Sequence, residues 1–152
     1  MKKLSADELA QACAKRQWDE DPATRHLGMK LEKIAAGFAV FSMKVSEIMV
    51  NGHNICHGGF IFTLADSAFA FACNSHNQRA VASVGEIAFL SPAKLGDELV
   101  ATAKERVLLE RSGITDVTVT LRDGTVIAEF RGHSRTIKGH LLPELAGEGN
   151  EK

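Results

Sequence analysis

The chain has 152 residues, enough for one domain with a substantial core. It is 45% hydrophobic and 24% charged, ordinary for a globular protein, and its formal net charge of -1 argues against nucleic acid or an acidic membrane as a partner. Cys13, Cys56 and Cys73 are widely spaced with no CxxC pair, and no apolar signal-peptide core follows Met1-Lys2-Lys3. Reduced thiols and a cytoplasmic protein are therefore expected.

In chain order, Ser5 to about Glu20 reads as a helix. Ser5 is its N-cap and Glu8, three residues on, completes a capping box. Leu9, Ala12 and Cys13 can share a face, and Trp18 can close the end over the core. Asp21-Pro22-Ala23 breaks the pattern, with a short helix or turn over Thr24 to Leu27. Strands begin at Gly28–Ala36, turn at Gly37 and continue through Phe38–Val45, whose alternation predicts a half-buried strand. Ser46–Cys56 is a long connection of the kind that often carries function.

Phe60–Cys73 is apolar around nearly its whole circumference, which predicts a buried central helix ending near Asn74-Ser75-His76. After it the chain alternates almost continuously. Strands are expected over Ala80–Leu90, Asp97–Leu109, Ile114–Leu121 and Val126–Ile137, with turns at Ser91–Lys94, Glu110–Gly113 and Asp123-Gly124. Val81, Ser83, Gly85, Ile87 and Phe89 fall on one side of the first of these. Leu141–Lys152 is a tail expected to be partly disordered. A helix, two strands, a buried helix and four consecutive strands predict an α+β fold, with a long helix against a curved, largely antiparallel sheet.

The functional signal is concentrated in Asn51–Ser75, NGHNICHGGFIFTLADSAFAFACNS. Asp66 lies inside the apolar helix, and an ionised carboxylate there costs several kcal/mol unless it is paired, hydrated or used. Gly58-Gly59 opens the helix. A helix start offers free N–H groups and partial positive charge, and glycine lets another molecule approach the backbone closely. An oxygen that gains negative charge during a reaction fits there. A plain loop-to-helix joint is the alternative for this pair.

Gly58 and Asp66 are eight residues apart, about 12 Å along a helix. One helix cannot bring both to the same carbonyl, which needs each within roughly 3 Å. If both act on one substrate, Asp66 comes from a second copy of the chain, and a homodimer with sites at its interface is expected.

The elements, and the residues NGHNICHGGFIFTLADSAFAFACNS followed by FLSPAKLGD, resemble the hotdog-fold acyl-CoA thioesterases, most closely the PaaI type of phenylacetate degradation. The resemblance covers about 27–139 within a single domain of 1–152, and its asparagine, HGG and aspartate fall at Asn51, His57, Gly58, Gly59 and Asp66. It implies hydrolysis of acyl-CoA, with an aryl-acetyl or hydroxylated phenylacetyl group favoured. It implies Asp66 as nucleophile or general base, the Gly58 N–H as carbonyl donor and Asn51 as the residue positioning water or substrate. It implies Ser67 beside the site, and a dimer whose sheets join, commonly doubled to a tetramer. Some members add a serine on the strand after the helix. Ser83 lies close to that place, but a one-residue shift of register would turn it to the wrong face.

The chemistry suits these residues. A thiolate whose conjugate acid has a pKa near ~8.5 leaves without a strong general acid, so one carboxylate and one oxyanion donor suffice. No separate cofactor is expected, since coenzyme A belongs to the substrate, and no GxSxG elbow or P-loop is present.

Other readings attach to the same stretch. His53, Cys56, His57 and Asp66 could be read as a metal cluster, but the loop lacks the paired sets of zinc sites, and no metal is expected. His57 is preferred as a helix-start residue orienting the loop by hydrogen bonding. Cys56 and Cys73 are expected to be small core residues. A hotdog dehydratase or hydratase would pair His57 with Asp66, and a non-catalytic acyl-CoA-binding module would have little use for Asp66. Lys94, Arg111, Arg131, Arg135 and Lys138 are candidates for the coenzyme A phosphates. Phe60, Leu64 and Met49 are candidates for the acyl pocket, each equally readable as core, and Phe69 is expected in the core.

Overall fold

A computed structural model describes residues 3–146. The first helix, α1 (Ala6–Glu20), starts at the expected box: Ser5 Oγ accepts the Glu8 N–H at 3.2 Å and Glu8 Oε2 accepts the Ser5 N–H at 2.7 Å. It buries Ala10, Cys13 and Ala14, and Trp18 stacks on Phe41 with ring centroids 6.4 Å apart. Asp21 does more than break the helix. It caps a second one, α2 (Pro22–His26), accepting the Thr24 N–H at 3.0 Å, with Pro22 in the first turn where a missing N–H does no harm.

Six strands follow: β1 (Lys30–Ala35), β2 (Phe38–Lys44), β3 (Gln78–Phe89), β4 (Glu98–Leu108), β5 (Ser112–Leu121) and β6 (Val126–His140). They form one sheet in the order β1-β2-β4-β5-β6-β3, and every pairing is antiparallel. The central helix, α3 (Gly58–Cys73), joins β2 to β3 by way of a 3-10 turn at Glu47–Met49 and packs mainly across β2, β4 and β5. Phe41, Leu64, Phe69, Phe71, Leu99, Val117, Val119 and Ile127 fill the space between helix and sheet, each almost wholly buried. This is the hotdog arrangement, a helix wrapped by a curved antiparallel sheet.

Two strands depart from the expected patterns. Strand β2 is buried on both faces from Ala39 to Met43, not half-buried. It lies inside the sheet between β1 and β4. The side chains facing away from α3, Val40 and Ser42, are short and lie beside Thr102 and Val100 of β4. Strand β3 is an edge strand, at the end of the sheet opposite β1; it is mostly exposed, and it bulges. Ala82 pairs with Ser134 and Val84 with His133, leaving Ser83 as the extra residue.

At the other end of the chain Leu141 and Leu142 are buried against Cys13. Asn77 holds them there, its Oδ1 accepting the Leu142 N–H at 2.7 Å and its Nδ2 donating to the Leu142 carbonyl at 3.1 Å. The end of the expected disordered tail, residues 147–152, lies outside the described residues.

Candidate active site

The loop between Val50 and α3 is shaped by its own polar groups. Asn51 Oδ1 accepts the N–H groups of His53 (2.9 Å) and Ile55 (3.3 Å), and Val50 and Cys56 form an isolated antiparallel bridge. The Cys56 N–H donates to the Ala93 carbonyl at 2.7 Å, fastening the loop to the segment after β3. The amide oxygen of Asn51 is thus committed to the loop, while its amide nitrogen has no acceptor among the described residues. Cys56 and Cys73 are buried thiols, pushed by desolvation to pKa values of about 11 and about 12, unsuited to attack as thiolates.

His57 caps α3. Its Nδ1 accepts the Gly59 N–H at 2.9 Å, and its carbonyl accepts the Phe60 N–H at 3.0 Å. The Gly58 N–H is left without an acceptor among the described residues. It opens on a cleft of about 420 Å³ lined by Asn51, Ile55, Ile61, Phe89, Ser91 and Pro92, among others. An unpaired amide at a helix N-terminus is a ready donor to a carbonyl oxygen. Among the described residues no three His, Cys, Asp or Glu side chains converge as metal ligands.

Asp66 sits two turns further along. The helix is not closed on all sides, as its composition suggested. Gly59, Phe62, Thr63, Asp66 and Ala70 are incompletely buried, and their spacing of three and four residues makes one open stripe. Asp66 lies on that stripe, partly buried, with no hydrogen-bond or ion-pair partner among the described residues. Burial, and secondarily the negative charge of Asp21, raise its carboxyl above the ordinary range, which makes the carboxylate a better base. Along the sheet the helix runs from Gly58, beside Phe89, past Phe62, beside Gly85, to Asn74, which holds the Ala80 backbone. Asp66 therefore stands level with the middle of β3.

The remaining candidates are dispersed over the chain. Ser67 is buried and bonded to Thr24, their oxygens 2.9 Å apart. Leu64 is fully buried core, as are Phe69 and Met49, so within the single chain neither Leu64 nor Met49 lines an open pocket. Phe60 is half-exposed and meets the His57 ring edge-on. The Ser83 hydroxyl donates to the His133 carbonyl at 3.1 Å. It lies six residues from Phe89, about 20 Å along the strand, so it cannot reach Gly58 of its own chain. Lys94, Arg111, Arg135 and Lys138 are exposed and make no ion pair among the described residues, whereas Arg131 is bound to Asp116 at 2.6 Å. Sequence reasoning missed the Phe89 ring over Gly58, which depends on strand order. It also missed the Asp21–Thr24–Ser67 contact, although the spacing of Asp21 and Thr24 is a legible capping signal.

The sheet-wrapped helix, with a free amide at its start and an unpartnered carboxylate on its open stripe, places the chain among the hotdog-fold proteins. Comparison with known proteins agrees: the Thioesterase superfamily model matches residues 53–128, and the chain belongs to that superfamily. It is a thioesterase of the PaaI type. Acyl-coenzyme A thioesterase PaaI of Escherichia coli is 41% identical over 131 residues, covering 86% of this chain and 94% of that protein. The structure of the E. coli PaaI protein from the phenylacetic acid degradation operon superposes with a TM-score of 0.88, covering 90% of this chain and 99% of that one at 40% identity. Human acyl-coenzyme A thioesterase 13 is 34% identical over 104 residues, covering 66% of this chain and 74% of that protein. Among the described residues no helix is long and apolar enough to cross a membrane.

Proposed function

We propose that this chain hydrolyses acyl-CoA thioesters, with aryl-acetyl or hydroxylated phenylacetyl groups as the preferred acyl part, at sites shared between two copies of the chain. The observation that carries this reading is the unpaired Gly58 N–H and the unpartnered Asp66 on one helix, about 12 Å apart.

The edge of β3 supplies the second copy. It is 12 residues long, its outer N–H and C=O groups are unpaired by any described strand, and Val81, Val84, Phe89 and Leu90 stand exposed on it or just beyond it. Antiparallel pairing of two β3 strands about a two-fold axis near Glu86 sets residue 89 of one copy opposite residue 83 of the other. Gly58, under Phe89, then approaches the partner subunit's Asp66 and Ser83. Two such dimers back to back give the tetramer that the resemblance implies.

In this site the Gly58 N–H donates to the thioester carbonyl and takes up charge as its oxygen becomes negative. Asp66 either attacks the carbonyl carbon directly, giving an anhydride that water opens, or removes a proton from the attacking water. In both routes the C–S bond breaks, coenzyme A leaves as thiolate, and the acid product carries one oxygen from water. The free Asn51 amide nitrogen is placed to orient water or substrate, and His57 acts through the cap that leaves Gly58 free. Lys94 and Arg111 are the basic groups offered to the phosphates, with Gly59, Phe60 and Ser67 on the helix that carries the chemistry. No cofactor, nucleic acid or membrane takes part, and the compartment is the cytoplasm.

The His57 ring nitrogen engaged in capping favours hydrolysis over a histidine-dependent hydratase. A panel of acyl-CoA substrates assayed for free thiol tests the proposal. Thiol release, fastest with aryl-acetyl groups, is expected. Hydration of an enoyl-CoA without thiol release, or binding without turnover, would overturn it.

A further inference from the structure

Beside Asp66 runs a polar chain that the reaction as described does not use. Asp21 Oδ2 receives a hydrogen bond from the Thr24 hydroxyl at 2.7 Å, and Thr24 Oγ1 lies 2.9 Å from Ser67 Oγ. The direction of each bond follows from counting protons. An ionised carboxylate only accepts, so the single Thr24 hydroxyl proton goes to Asp21, and Ser67 must donate to Thr24. Ser67 then has no proton left for a substrate. Thr24 is 1% exposed, so this chain is a built interior contact joining the α1–α2 junction to the α3 turn that carries Asp66. The Asp21 carboxylate itself has no cation within ion-pair distance among the described residues.

Resting on the hydrolytic role of Asp66, we infer that Asp21 is a positioning residue for the reaction: it fixes the Asp66 turn through Thr24 and Ser67 and sets an uncompensated negative charge beside that carboxylate. The other groups around Asp66 do not compete with it. Among the described residues the buried polar side chains of the sheet are Ser42, Thr115 and Ser134, none of them charged, and Glu105 is paired with His76 at the far end of the helix at 2.8 Å. On α3 itself the only other titratable group that feels Asp66 is the buried thiol of Cys73. Asp21 is thus the one charged neighbour among the described residues that bears on Asp66, and it also strengthens Asp66 as a base.

Charge and relay separate by substitution. Asp21→Asn keeps a good N-cap and can donate to Thr24, which then donates to Ser67, so the contacts survive while the charge is lost and the two hydroxyl bonds reverse direction. Thr24→Val keeps the charge and cuts the relay. The measurement is kcat and KM against pH for acyl-CoA hydrolysis, with melting curves for each variant and Asp66→Asn in parallel. For Asp21→Asn the acid limb of kcat/KM moves to lower pH. For Thr24→Val the limb stays while kcat falls about tenfold, and Thr24→Ser restores it. If Asp21→Asn folds too poorly to assay, Asp21→Ser, a cap without charge, gives the same reading. An unmoved limb in a folded Asp21 variant, with Asp66→Asn inactive, overturns this inference alone. Wild-type turnover in Asp66→Asn overturns the hydrolytic reading and this inference with it.

Discussion

The ring of Phe89 lies against the backbone of Gly58: a Cβ built on Gly58 would come within 2.8 Å of Phe89 Cζ. The last residue of the edge strand therefore covers the first residue of the central helix, and the glycine is needed for closeness, not for an unusual φ. Gly58→Ala is expected to displace the ring, with a modest loss of stability because Phe89 is 53% exposed and can swing away. The reaction is expected to suffer more, by at least about tenfold in kcat/KM, because the amide and the cleft wall move together. Gly58→Ala with Phe89→Ala should recover the melting temperature. Steady-state kinetics and thermal melts of the two variants check this.

His57 is assigned a capping role, and that role has a chemical signature. His57→Ala should lose about 1 kcal/mol of stability with the cap. His57→Asn, whose side-chain oxygen can accept the same N–H, should retain most of the stability and turnover within about tenfold. Denaturant unfolding and thiol-release assays measure both. Loss of turnover in a stable His57→Asn would show that the ring handles a proton.

In its proposed role, Asp66 sets stability against activity. Its folded-state pKa is raised, so its stabilising contribution is greatest below the unfolded pKa and is lost as pH rises through the folded value. At neutral pH the ionised group is therefore a burden on the fold. Asp66→Asn should raise the melting temperature while lowering turnover by several orders of magnitude. A destabilised Asp66→Asn would mean that the carboxylate has a partner in the assembled protein.

At the far end of α3, His76 Nε2 and Glu105 Oε1 lie 2.8 Å apart, and the second oxygen of Glu105 is buried without a hydrogen bond. The bond to Glu105 raises the pKa of His76 above its ordinary 6.5. The sign is that of a raised base. The stabilisation is complete below the unfolded pKa and fades as pH rises through the folded value, as His76 loses its charge beside Glu105. Melting temperature should fall with rising pH across that window. In His76→Gln the fall should be shallower. Melts in buffers spanning neutrality decide it.

Much of this architecture was legible before any coordinates, where the deciding interaction is local. The Ser5–Glu8 box, the opening of α3 at Gly58 and the Asp123-Gly124 turn each depend on neighbours in sequence, and Gly124 has the positive φ, 92°, that such turns require. What escaped depends on partners distant in the chain. Both faces of β2 are buried because of its place in the sheet, the Ser83 bulge is fixed by register with β6, and the open stripe bearing Asp66 reflects where the sheet ends. An apolar composition cannot show which side of a helix its neighbours leave uncovered. Asp21 read as a break because Pro22 dominates the local signal, although the same proline opens α2.

The sharing of each site between two copies is the claim on which the rest depends, and subunit complementation tests it most directly. Asp66→Asn and Gly58→Ala chains, each strongly impaired alone, are co-expressed with different tags and the mixed dimer is isolated. If each site takes Gly58 from one copy and Asp66 from the other, one of its two sites is intact, and about half of wild-type kcat should return. Activity no higher than that of the parent variants would contradict the account, because it would place both groups of each site on a single chain.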